Sequence, residues 1–315
     1  MADISYTLLE NGLDFVLSAV QNLLGEPDHR QLKYAILHLH SGVELILKEK
    51  LRREHWSLVF EKVDEAKRAR YESGDFYSVS WKTCLGRLKD ICEIELTKEK
   101  IHPLEELKKK RNRVEHFNFT DNSDAVKSAT VPVLQFLVEF INEEIGQGTF
   151  QEVEAELFRE IARCFGKLND FVGERTKEIQ QQLSDPEGTL VTCPQCFQET
   201  MDVWGEVCCY FCGYTPDVDT AVEKFVGSVL GITWHDIARG EIWPVNKCPE
   251  CWGETLVHLR ENDGYENSPS YVCFGCGLNW GTLSTCDSCG NPFPDGEREL
   301  GVCDDCWEIM MKKND

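Results

Sequence analysis

The sequence predicts a mainly α N-terminal helical bundle followed by a run of small, cysteine-held β-knuckle domains. Three observations predict it. Apolar residues recur at helical spacing through the first 185 positions, thirteen of the sixteen cysteines fall after residue 190, and twelve of those thirteen form six CxxC pairs.

Leu9, Leu13, Val16, Val20 and Leu23 make the first helical stripe, and Gly25-Glu26-Pro27-Asp28 breaks the chain after it. Leu32, Ile36, Leu39, Val43 and Ile46 make the second. Weaker segments cover 57–73 and 79–97, the latter entered through Ser78 or Ser80 as N-cap. Pro103 fits the first turn of the next helix. Pro132 limits how far upstream the helix of Leu134, Leu137, Val138 and Ile141 extends. Val153, Leu157, Ile161, Phe165, Leu168 and Phe171 line a long amphipathic helix, and such stripes pack as an antiparallel bundle. At Ser184-Asp185-Pro186-Glu187-Gly188 helical periodicity gives way to Gly, Pro, aromatics and paired cysteines, which predicts a domain boundary. The expected organisation is a bundle over 1–146, a connecting helix over 147–185, three cysteine domains over 186–220, 246–282 and 283–315, and a helical spacer over 221–245.

Cys193/Cys196 precede Cys209/Cys212, Cys248/Cys251 precede Cys273/Cys276, and Cys286/Cys289 precede Cys303/Cys306. A CxxC on a tight turn presents two sulfurs to one ion, and a second pair completes a tetrahedron. Gly213, Gly277 and Gly290 stand just after a pair, where the chain turns back under the metal. Disulfides need an oxidising compartment, and iron–sulfur clusters also take four thiolates; three successive two-pair repeats favour three structural zinc ions in zinc ribbons. A closed four-thiolate sphere leaves no position for water, so catalysis is not expected there. Cys208 is left over beside Cys209, Cys84, Cys92 and Cys164 read as small core residues, and His235 and His258 as ordinary polar residues.

Charge is unevenly placed. Residues 1–185 carry 26 Lys/Arg against 33 Asp/Glu, and residues 186–315 carry 7 against 22, out of a total net charge of −22. The second half repels a polyanion and fits a basic protein partner better than nucleic acid. No apolar run approaches the ~18 to 20 residues of a membrane span. The start MADISYTLLENG lacks the basic and apolar regions of a signal peptide, which reads as cytoplasmic.

The stretch KKKRNRVEHFNF, Lys108 to Phe119, is the basic exception. By pattern alone it is a solvated helix face, with Glu105 and Glu106 set to pair with Lys109 and Lys110. Its Arg111-Asn112-x3-His116 nevertheless resembles the R-N-x3-H signature of the HEPN superfamily of all-helical RNA-cleaving and RNA-binding proteins. LHLHSGVELILKEKL (37–51) resembles that family's second helix, and the resemblance covers residues 5–146.

The resemblance implies a metal-independent endoribonuclease, of a kind found among toxins and antiviral defence effectors, with RNA as substrate and a homodimer completing the cleft. It implies His116 as general acid/base, Arg111 as phosphate clamp, Asn112 as an orienting or substrate-binding group and Glu44 as the carboxylate holding Arg111. Lys108–Lys110 and Arg113 would attract the RNA backbone. The zinc ribbons would then scaffold, regulate or bind a protein partner. The other function considered is a non-catalytic RNA- or protein-binding adaptor. Two points stand against a simple transfer. Residues five apart on an ideal helix point roughly 140° away from each other. Antitoxin-controlled members carry Tyr two residues after the His, where this chain has Asn118 between Phe117 and Phe119.

Overall fold

The computed structural model describes residues 5–146, 149–182, 189–259, 270–294 and 301–312. The chain divides into two compact units, Met1–Glu174 and Arg175–Asp315.

The first unit is helical. α1 (Leu8–Leu23) starts on a capping box in which Thr7 accepts from the Glu10 N–H and Glu10 bonds back. α2 (His29–Glu54) starts on a second box, Asp28 with Gln31. Both predicted stripes are buried along their length. Gly12 faces Ile46 and Gly42 faces Val16, so the two helices run antiparallel with backbones in close approach. A Cβ on Gly42 would stand 2.5 Å from Val16 Cγ2 and 2.9 Å from the Gly12 carbonyl oxygen. Gly42→Ala gains about 1 kcal/mol of helix propensity and costs about 1–3 kcal/mol of overpacking. A backbone carbonyl cannot rotate aside, so the expected result is a net loss and a lower urea midpoint. A raised midpoint would show that α1 yields.

Several elements differ from the sequence reading. Residues 57–73 are not one helix: two 3-10 turns, Trp56–Val59 and Val63–Glu65, precede the short α3 (Arg68–Ser73). α4 (Trp81–Asp90) starts after Ser80, and residues beyond Asp90 turn out of it. Pro103 is not in a first turn. α5 (Lys98–His116) begins earlier because Thr97 caps the Lys100 N–H. Pro132 likewise lies inside α6 (Ser123–Phe140), whose start is set by Asn122 capping Asp124 and Ala125. In both cases the upstream cap outweighs the one hydrogen bond that proline removes. A π-helical turn, Ile141–Ile145, follows.

α7 (Glu152–Gln182) replaces the expected helix over 147–185. Buried Glu154 accepts from Thr7 Oγ1 (3.0 Å) and from the Gln151 N–H (2.9 Å), fixing its start. The buried face of α7 in this unit is Phe158, Ile161, Cys164, Leu168 and Val172, whereas Val153 is exposed. One core runs through α1, α2, α4, α5, α6 and α7 and includes Cys84 and Cys164.

The second unit holds small antiparallel sheets. The unit boundary falls inside α7, about ten residues before the predicted break, and 184–188 lie outside the described residues. Arg175 belongs with the second unit because its Nη2 donates to the Phe211 carbonyl (2.7 Å). β1 (Leu190–Thr192), β2 (Glu199–Asp202) and β3 (Cys208–Cys209) form the first sheet, with a bulge between Val191 and Thr192. The spacer is broken, not one helix: α8 (Val218–Lys224), a π turn Phe225–Val229, Gly231 at φ 67°, then α9 (Trp234–Ile237). β4 (Val245–Asn246), β5 (Leu256–His258), β6 (Tyr271–Cys273) and β7 (Asn279–Trp280) form a meander. β8 (Leu283–Thr285) and β9 (Pro292–Pro294) form a hairpin, and α10 (Asp304–Lys312) follows. Buried Phe225 meets Phe274 edge-on at 5.1 Å, which joins the spacer to the second sheet. No described helix is long and apolar enough to cross a membrane.

Candidate functional site

The six CxxC pairs converge as three groups: Cys193, Cys196, Cys209 and Cys212; Cys248, Cys251, Cys273 and Cys276; Cys286, Cys289, Cys303 and Cys306. Within each, all four sulfurs lie within 4.8 Å of one another. Sulfur pairs stand 3.6 and 3.8 Å apart in the first two groups, and Cys289 and Cys303 stand 3.8 Å apart in the third. Four sulfurs about 2.3 Å from one central ion in a tetrahedron stand about 3.8 Å apart, whereas a disulfide brings them to about 2.05 Å. The spacing is that of a four-sulfur site for a single metal ion. Cys208 is outside its group, as the CxxC spacing indicated.

Backbone geometry explains the convergence. After five of the six pairs the next residue is left-handed: Phe197 (φ 60°), Gly213 (69°), Trp252 (64°), Gly277 (76°) and Gly290 (75°). Each returns its N–H to the first cysteine's carbonyl, at 2.8 to 3.1 Å. Phe197 and Trp252 hold a conformation that L residues adopt at a cost, so the fold around the metal position over-determines it. The sixth pair differs, because Cys303 and Cys306 sit at the start of α10 and Trp307 donates to the Cys303 carbonyl (3.0 Å). Thr200 and Thr255 occupy equivalent places in the first two groups, 3.4 Å from Cys209 Sγ and 3.3 Å from Cys273 Sγ. Burial alone would push Cys286 up, but the N–H groups of Cys303, Cys289 and Ser288 outweigh it and hold the thiol at about 6. A sulfur so surrounded favours its thiolate, the form that binds metal. His235 and His258 are in none of the groups. His258 stacks on Tyr271 at 4.4 Å.

The second constellation lies at the C-terminal end of α5. The lysine run is largely neutralised: Lys108 Nζ is 3.8 Å from Glu105, Lys109 Nζ 2.6 Å from Glu106, and Lys110 Nζ 2.5 Å from buried Asp121. The glutamate pairs are one residue closer in sequence than expected, at i,i+3. Arg113 lies over the Phe119 ring, 5.9 Å from its centre.

Arg111 is 31% exposed; its Nη1 lies 2.8 Å from Glu115 Oε2 and donates to Asn112 Oδ1 (3.1 Å). His116, the last residue of α5, is 63% exposed, and its Nε2 lies 3.7 Å from the same Glu115 oxygen. Asn112 therefore meets Arg111, and the arginine and imidazole converge on one carboxylate. Glu44 has other neighbours: His40 Nδ1 at 3.7 Å and Lys48 Nζ at 3.6 Å. The carboxylate that holds Arg111 is Glu115, one helical turn along the same helix.

Two residues of this region were not singled out from sequence. Glu115 carried a usable signal, four residues after Arg111. His40 carried none. It is 5% exposed, stacks on Trp81 at 5.5 Å, and its buried Nε2 finds no hydrogen-bond partner. Burial holds its imidazole below the usual value, opposed by Glu44 and aided by Arg111 and Lys108. Trp81 Nε1 in turn donates to Glu105 (2.6 Å), with Lys108 Nζ 5.7 Å from its ring centre.

No protein-family model, curated protein or solved structure matches the chain.

Proposed function

We propose that the helical unit is a metal-independent endoribonuclease of the HEPN type, and that three structural zinc ions hold the second unit together as a docking scaffold. The observation that carries the nuclease reading is the convergence of Arg111 and His116 on one oxygen of Glu115, despite their splay on an ideal helix. His116 is also solvent-exposed rather than packed into the bundle. In the reaction the ribose 2′ oxygen attacks phosphorus, the P–O5′ bond breaks, and a 2′,3′-cyclic phosphate and a 5′ hydroxyl result. One proton leaves the 2′ hydroxyl and one reaches O5′. The guanidinium of Arg111 suits the non-bridging phosphoryl oxygens, and the imidazole of His116 suits proton transfer. The zinc assignment rests on all-thiolate donors at tetrahedral spacing.

Incubation of the purified protein with total RNA in mild chelator, with zinc retention verified, is expected to release fragments with cyclic-phosphate ends. His116→Ala and Arg111→Ala should each lower the rate by roughly 100- to 1000-fold with the fold unchanged. Unaltered cleavage by either variant would remove that residue from the reaction.

The paired state of Lys108, Lys109 and Lys110 favours a second reading, a non-catalytic adaptor whose acidic half receives a basic protein. Zinc-replete protein that binds RNA or a partner without cleaving RNA would support that reading.

A further inference from the structure

We infer that Glu115 is the second proton-transfer group of this site, beside His116. The inference rests on the nuclease reading above. The transesterification needs a base at the 2′ hydroxyl and an acid at O5′ in the same step, and one imidazole cannot be both at once. Glu115 Oε2 lies 3.7 Å from His116 Nε2, and its side chain is 34% exposed. The other titratable groups nearby do not fit. His40 is buried behind Trp81, and Glu44 faces His40 and Lys48.

In the free protein Arg111 holds Glu115 at 2.8 Å. A phosphate offers the guanidinium a competing anion with the same bidentate preference. Once the phosphoryl oxygens take Arg111, the carboxylate is released beside the bound ribose. Glu115 then accepts the 2′ hydroxyl proton, the His116 imidazolium gives its proton to O5′, and the bond to O5′ breaks. The enzyme is left with a carboxylic acid and a neutral imidazole. Transfer of one proton from the first to the second, directly or through solvent, restores the starting state. Protons balance over the cycle.

The test is the pH–rate profile of the full-length, zinc-replete protein on a short RNA. Wild type should give a bell, because one group must be free of its proton and another must carry one. Glu115→Gln should cut kcat/KM roughly 100-fold and erase the acidic limb, while Glu115→Asp should keep both limbs at a lower rate. A structural role alone would scale the profile without removing a limb. Full activity and an intact bell in Glu115→Gln would overturn the inference while leaving the nuclease reading in place. A wild-type protein that cleaves no RNA overturns the reading, and this inference with it.

Discussion

Cys209→Ser is expected to reduce bound metal from three ions per chain to two and to melt the first cysteine domain. Cys209 is one of a group of four cysteines that are all buried. Around it, β2 and β3 are four and two residues long, too short to persist as an isolated sheet. Metal bound by this group would therefore supply folding free energy to the domain. Structural zinc supplies on the order of 10 kcal/mol in comparable small domains, and losing one of four ligands removes much of it. Metal analysis and hydrogen exchange over residues 189–214 measure both consequences. The three groups should also release metal in order. Cys289 is exposed and Cys303 and Cys306 are half-buried, so the third group should yield to a chelator first and the first group last. Equal release rates would show that sulfur exposure does not govern exchange.

Glu49→Ala should destabilise the helical unit by about 3 kcal/mol, the low end for breaking a buried ion pair. Glu49 is 1% exposed and takes Arg52 bidentately, from Nε at 2.6 Å and Nη2 at 2.7 Å. Arg53 Nε donates to the same carboxylate at 2.8 Å, and Arg53 Nη1 reaches the Ile145 carbonyl and Thr149 Oγ1. One carboxylate thus orients the arginines at the end of α2, and Arg53 ties that end to the π turn after α6. The hydrogen bond to Glu49 raises Arg52 above its usual value, but Arg52 is 39% exposed, so solvent screens part of the attraction. Urea denaturation measures the loss. A shift below about 1 kcal/mol would mean that water replaces the carboxylate at little cost.

The parts legible in the sequence were those governed by local chemistry with a fixed period. The stripes of α1 and α2 could be read directly because every residue of each is buried on one face. The CxxC pairs could be grouped because the spacing itself brings two sulfurs together. Pro103 and Pro132 misled because a proline was read as a boundary, whereas Thr97 and Asn122 start those helices upstream. Residues 57–73 lacked a stable period, and their turns depend on tertiary partners such as Arg87, which donates to the carbonyls of Leu58, Phe60 and Glu61. Phe197 and Trp252 escaped notice because the left-handed turn was sought through glycine. At the α5 end, Arg111 and His116 were found through their resemblance. Beyond its spacing, Glu115 has no distinguishing mark in the sequence, because a carboxylate four residues after an arginine is an ordinary surface pair, and only the shared oxygen sets it apart.

The part-buried pair between Lys110 and Asp121 spans eleven residues. It closes a covalent arc into a ring, and Arg111, Asn112, Glu115 and His116 all lie within that ring. Order that a substrate would otherwise have to impose on the segment after His116 is already established during folding, when loop-closure entropy is lost once and for all. The lysine that appeared to be a phosphate attractor acts instead as a clasp. What it contributes to any reaction at this end of α5 is preorganisation.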